Sequence, residues 1–146
     1  FMVSKYCIST LLLMQMTAAV YAQDSFCKTW YTDGKKSKVR ICKEADGKYY
    51  VQLIWMQDSL KNGKPVLDTE NPDEKLRNRK WLGIKITNGM TKASNSELVD
   101  GKIYDPSKGN HYNCKMKLVS DKILELRGYI LGLPFLGRTT RWTLAE

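Results

Sequence analysis

His111-Tyr112-Asn113-Cys114-Lys115-Met116-Lys117-Leu118-Val119-Ser120 is the stretch that decides the fold. Tyr112, Cys114, Met116 and Leu118 fall on one side of an extended chain, and Asn113, Lys115 and Lys117 on the other. Side chains alternate between the faces of a β-strand, so this spacing describes a strand with one buried and one wet face. Ser120-Asp121 then turns the chain, and Leu124 and Leu126 resume the alternation against Glu125 and Arg127. Further out, Tyr49, Val51, Leu53 and Trp55 make a second inward row, and Val39 and Ile41 alternate with Lys38, Arg40 and Cys42.

Turn chemistry separates these runs at regular intervals: Asp33-Gly34, Asp46-Gly47, Asn62-Gly63, Asn88-Gly89, Asp100-Gly101, Asp105-Pro106 with Gly109, and the Gly132-to-Gly137 loop. The expected strands are 25–32, 37–44, 48–57, 81–88, 97–104, 111–120, 123–130 and 138–144. An all-β chain of eight sequential antiparallel strands closes into a single up-and-down barrel, because closure removes exposed edges. Eight strands is also the size at which the interior can hold one small ligand. The longest connection, Asp58 to Lys80, carries one short helix. Asn71 is its expected cap, Pro72 takes the first helical position, and Glu74 follows three residues after the cap.

The chain has 146 residues, enough for one domain, and 42% hydrophobic with 27% charged residues excludes a disordered polymer and a polytopic membrane protein. Its start reads as an export signal. Lys5 precedes an apolar run from Tyr6 to Val20, and Val20-Tyr21-Ala22 offers a small-residue exit before Gln23. The run is shorter than the ~20 apolar residues a bilayer needs and is diluted by Ser9, Thr10, Gln15 and Thr17. The expected organisation is therefore a cleaved signal peptide, residues 1–22, and a barrel domain, residues 23–146. The product is exported, periplasmic or secreted, and does not span the membrane.

Net charge is +9, from 24 basic and 15 acidic residues. Lys35, Lys36 and Lys38 sit at one turn; Lys115, Lys117 and Lys122 lie on or beside an outward strand face. Export argues against nucleic acid as a partner and leaves a solvated face, or an anionic envelope surface, as the reading of this excess. After cleavage three cysteines remain. A hairpin centred on Asp33-to-Ser37 sets Trp30 opposite Val39 and Cys27 opposite Cys42, so a Cys27–Cys42 disulfide is expected, with Cys114 free in the inward row.

Three motifs carry a resemblance. Asp68 with Asn71-Pro72-Asp73 and Leu76-Arg77-Asn78-Arg79 is the first. Gly101-Lys102-Ile103-Tyr104-Asp105-Pro106 with Gly109 is the second. Arg127-Gly128-Tyr129 followed by Gly137-Arg138-Thr139 and Trp142 is the third. In this order they resemble an exported bacterial family, domain of unknown function 2147. The resemblance covers the whole chain after the signal and implies a lipocalin-like β-barrel in the bacterial envelope or outside the cell. It brings no assigned reaction. One departure stands near the start, where Lys28 occupies the slot in which the family usually has Gly, two residues before Trp30.

The ring-rich interior is the candidate binding site. Trp30, Tyr49, Leu53, Trp55, Tyr104, Tyr112, Met116 and Trp142 are its expected apolar wall, with Arg127, Tyr129 and Arg138 as convergent polar groups. Trp30 has a second reading, in which Arg138 or Arg141 lies over its ring and helps close the barrel. Asp68, Asn71, Asp73, Arg77 and Arg79 read as an ion-pair and hydrogen-bond network that orders the long loop. Their spacing matches no calcium loop, and no metal or cofactor is expected. His111 and Cys114 stand an odd number of residues apart on one strand and so face opposite ways, which denies a thiol its base. No enzymatic activity is expected. The sequence points to an exported binding protein for a small apolar or amphipathic molecule. The alternative is a non-enzymatic scaffold whose basic face docks on an anionic envelope surface or partner protein.

Overall fold

The period-two rows become strands. The computed structural model of the protein describes residues 23–145; the expected signal segment, residues 1–22, lies outside the described residues. The strands are β1 (Thr29–Tyr31), β2 (Ser37–Lys43), β3 (Tyr49–Met56), β4 (Leu60–Lys61), β5 (Lys64–Pro65), β6 (Lys85–Ser94), β7 (Glu97–Asp105), β8 (Asn110–Ser120), β9 (Ile123–Ile130) and β10 (Leu133–Leu144). β4 and β5 form a detached hairpin on the Asn62-Gly63 turn. The other eight pair antiparallel in the closed order β1-β10-β9-β8-β7-β6-β3-β2, an up-and-down barrel. β1 closes the ring by pairing with β2 (Trp30↔Val39) on one side and β10 (Trp30↔Leu144) on the other.

One end of the barrel is filled. Phe26, Trp30, Tyr49, Met90, Leu98, Cys114, Met116 and Leu124 are all buried there. The chain before β1 makes the plug. Phe26 is tucked under the sheet by a bend in which its N–H donates to Asp24 Oδ1 at 3.0 Å, and its carbonyl accepts from Trp30 Nε1 at 3.3 Å. Its ring meets Tyr49 edge-on at 6.0 Å, and the Tyr49 hydroxyl donates to Asp24. The opposite end is ringed by the β1–β2, β3–β6, β7–β8 and β9–β10 connections.

The sequence reading differs from the structure in several places: the first strand is shorter than 25–32, the last begins at Leu133 and not at 138, and the β4–β5 hairpin is additional. Residues 81–84 belong to the long connection and not to a strand; β6 starts at Lys85 and runs through Asn88-Gly89, where Gly89 (φ 69°) lets the strand kink without turning back. The helix is a single 3-10 turn, Glu74–Leu76, and Asp73 caps it: its side chain accepts from Lys75 N at 3.0 Å. Asn71 instead holds an Asx turn, its Oδ1 accepting from Asp73 N at 2.9 Å. Cys27 and Cys42 are free thiols, as is Cys114. The β1–β2 register that set the two cysteines opposite is present, but pairing begins at Thr29↔Arg40, and Cys27 lies in the preceding bend that buries Phe26.

Candidate functional site

The open half of the barrel encloses a cavity of about 610 Å³, within the size range of small-molecule sites. Its wall comes from inward positions of almost every strand. Val39 of β2, Leu53 and Met56 of β3, Ile103 of β7, Tyr112 of β8, Leu126 and Gly128 of β9, and Arg138, Thr140 and Trp142 of β10 line it. Val66 and Trp81 reach it from the long connection. Lys36, Asp58 and Asp105 join Arg138 among the lining residues contributed by the mouth loops and strand ends. The Trp81 indole N–H is buried and finds no acceptor among the described residues.

The structure sorts the expected wall residues. Leu53, Tyr104, Tyr112, Arg138 and Trp142 line the cavity. Trp30, Tyr49 and Met116 are buried in the filled end, where they exclude ligand. Arg138 and Arg141 do not cover Trp30: Arg141 pairs with Glu125 at 2.8 Å. Trp55 lies on the outside, 42% exposed, with Lys38 Nζ 5.6 Å from its ring centre. The cause is a bulge in β3. Lys38 pairs with Trp55 but Val39 pairs with Leu53, so Ile54 is extra and the inward position after Leu53 passes to Met56. Arg127 and Tyr129 follow the β9 alternation outward, either side of inward Gly128. Arg127 donates outside the barrel to Pro134 O at 2.9 Å and Thr139 Oγ1 at 3.3 Å. Sequence reasoning missed Met56, Trp81, Ile103 and Thr140. Ile103 carried a legible signal, since it pairs across the sheet with Tyr112.

Beside the mouth the long connection is fastened to the barrel by one buried carboxylate. Asp68 is wholly buried. Its Oδ2 accepts from Asn71 Nδ2 and Arg79 Nε, both at 2.8 Å, and its Oδ1 from the Tyr104 hydroxyl at 2.5 Å. Arg77 Nε donates to the Asn71 carbonyl at 2.8 Å, and the Arg79 guanidinium lies 5.7 Å from the Tyr104 ring centre. Asp73 joins through its backbone alone. Burial by itself would raise the Asp68 carboxyl, but the hydrogen bonds from Tyr104, Asn71 and Arg79 outweigh it and hold the group below the usual carboxylate range. Burial, then the bond to Asp68, pushes the Tyr104 hydroxyl up to about 12. Gly109 of the β7–β8 loop passes so close that a β-carbon there would sit 1.9 Å from the Glu70 carbonyl oxygen. The first and second sequence motifs therefore meet as one clamp across the mouth.

The other pair singled out in the sequence, His111 and Cys114, does not meet. His111 is exposed, its ring 4.8 Å from that of its cross-strand partner Tyr104, while Cys114 is buried inside the wall and burial pushes its thiol up to about 12. Among the described residues no three His, Cys, Asp or Glu side chains converge to hold a metal ion. None of the described helices is long and apolar enough to cross a membrane.

Residues 28–144 match the model of a family described as uncharacterized protein conserved in bacteria, DUF2147. The chain belongs to this family. A solved structure of similar fold is protein HP1028 from the human pathogen Helicobacter pylori, described as belonging to the lipocalin family. This chain is 25% identical to it, with a TM-score of 0.73 over 83% of each chain. No curated protein matches. This DUF2147 chain is thus a closed lipocalin-like barrel with one filled end and one hollow end.

Proposed function

We propose that this protein is an exported binding protein that holds a small apolar or amphipathic molecule in the open half of its barrel. The observation that carries this reading is the cavity: about 610 Å³ of space walled by Val39, Leu53, Met56, Ile103, Leu126, Tyr112 and Trp142. Burying a ligand's apolar part against these residues contributes about 25 cal/mol per Å² removed from water. The polar supply is sparse and local. Arg138 and Lys36 offer charge for an acidic head, and the Trp81 N–H offers a donor that lacks an acceptor in the protein. An oxygen on the ligand would satisfy it, as buried donors require. The lipocalin-family description of the H. pylori protein supports the same reading.

The protein acts by binding and not by turnover. In support, His111 and Cys114 lie on opposite faces of the wall, and among the described residues no base stands beside the buried thiol. The export signal in the sequence supports an envelope or extracellular setting, where a carrier would meet hydrophobic molecules.

Native mass spectrometry of the protein from its own host tests the proposal directly. A bound small molecule, released on denaturation, is the expected result. Titration with a long-chain carboxylic acid and with the matching hydrocarbon then reads the polar contact. Trp81→Phe should weaken the acid several-fold and leave the hydrocarbon unchanged. An empty barrel that binds neither probe overturns the reading.

A further inference from the structure

The tip of the β9–β10 hairpin is apolar where water should be. Ile130, Leu131, Leu133, Phe135 and Leu136 are all exposed, Leu131 at 80% and Phe135 at 72%. The strand register explains how. Leu133 pairs with Ile130 and Gly137 with Tyr129, so Pro134, Phe135 and Leu136 have no partners on β9 and are extruded as a bulge. The extrusion is built into the fold: outward Arg127 holds its base by donating to Pro134 O at 2.9 Å and to Thr139 Oγ1 at 3.3 Å. Clustered exposed apolar side chains of this size mark a surface that is covered in use.

We propose that this tip inserts into the surface of an anionic phospholipid bilayer, seating the barrel with its mouth toward the lipid. Two observations select a bilayer. The apolar side chains occupy successive positions through the turn and bulge, so no single flat face exists for a shaped protein groove, whereas a fluid acyl layer accepts a tip apolar all round. The surroundings are cationic: no acid occurs between Glu125 and Glu146, Arg127 and Arg138 flank the tip, and Lys102 lies in the groove beside Ile130 and Leu131. Apolar insertion supported by basic residues at head-group level is the chemistry of interfacial binding. Arg138 lines the cavity as well as flanking the tip, so the docked face is the one through which a ligand enters.

The test uses the chain from Gln23 onward, which contains every strand of the closed barrel, in flotation with vesicles of phosphatidylcholine alone and of phosphatidylcholine with 30% phosphatidylglycerol. The protein should float with the anionic vesicles and at least several-fold less with the neutral ones. Leu131→Ser combined with Phe135→Ser should reduce flotation at least tenfold while leaving the melting temperature and solution affinity for an apolar probe unchanged. A wild-type protein that floats with neither vesicle overturns the proposal, as does a double variant that floats undiminished. Sedimentation velocity covers the remaining occupant: self-association that the double variant abolishes would make the tip an interface between copies, and the proposal would fall.

Discussion

The two ends of this barrel are built from the same strands with the same alternation, and only one of them is hollow. At the filled end the inward positions carry Trp30, Tyr49, Met90, Leu98, Met116 and Leu124, and Phe26 is driven up among them by the bend before β1. At the open end the corresponding positions carry Gly128, Thr140 and Val39, and the Trp that the pattern would place there stands outside. A lipocalin-like cavity is thus a local choice of side-chain volume within a uniform sheet. The filled end supplies stability, and the open end spends some of it on space.

The sharpest way to break this contrast is to empty the filled end. Trp30→Ala should cost about 4 kcal/mol, the size of a buried Trp truncation, read as a lower urea midpoint. Affinity for an apolar probe should stay within about twofold of wild type, because Trp30 is absent from the cavity wall. A large loss of affinity at unchanged stability would erase the distinction between the ends.

Next in size is the clamp beside the mouth. Asp68→Ala should cost about 3 kcal/mol, since it strands Asn71, Arg79 and Tyr104 without their shared acceptor. Asn71→Ala removes one bond to Asp68 and the Asx turn, and should cost about 1–2 kcal/mol. The same group shapes the acid limb. The folded Asp68 carboxyl titrates below its unfolded value near 4, so its stabilisation is complete above about pH 4 and is lost as pH falls through the folded value. At the alkaline limit the sign reverses in origin. Tyr104 is raised to about 12 when folded, so its contribution holds below about pH 10 and is lost between there and pH 12. Denaturant midpoints across pH should show both declines, and Tyr104→Phe should remove its share of the upper one.

A smaller effect separates the inside of the open end from its outside. Thr140→Trp fills the cavity and should lower probe affinity at least tenfold, about 1.4 kcal/mol. Trp55→Ala should change it less than twofold. If Trp55 proved the more sensitive position, the bulge assignment in β3 would be wrong. The smallest effect is chemical: a thiol reagent should modify the half-buried Cys27 and Cys42 in the native protein, and Cys114 only after denaturation.

Much of this architecture was legible because alternation leaves a mark in composition. Tyr112, Cys114, Met116 and Leu118 announced β8, and the turn at Asp33-Gly34 fixed Trp30 against Val39. What escaped were single-residue irregularities. The extra residue Ile54 has no signature of its own, yet it exchanges Trp55 for Met56 in the cavity wall. Gly89 reads as a turn and is a kink within β6. Trp81 looks like the start of a strand and instead lies in a loop that folds back over the mouth. Asp68 and Tyr104 sit in separate motifs, and nothing in either one shows that they share a hydrogen bond.

The closure of the ring has a consequence for how the molecule comes into being. Trp30 pairs with Leu144, and Ala145 N donates to Thr29 O at 2.9 Å, so the first strand is completed by the last. Until the final residues are available, β1 and β9 both stand as open edges, and the loop that must close is nearly the whole domain. Local hairpins such as β8–β9 can form as soon as they exist, but the ring waits for β10, which makes joining β1 to β10 the late, entropically costly event. A chain emerging N-terminus first would carry an unfinished sheet throughout its delivery, and any truncation within β10 would leave it so permanently.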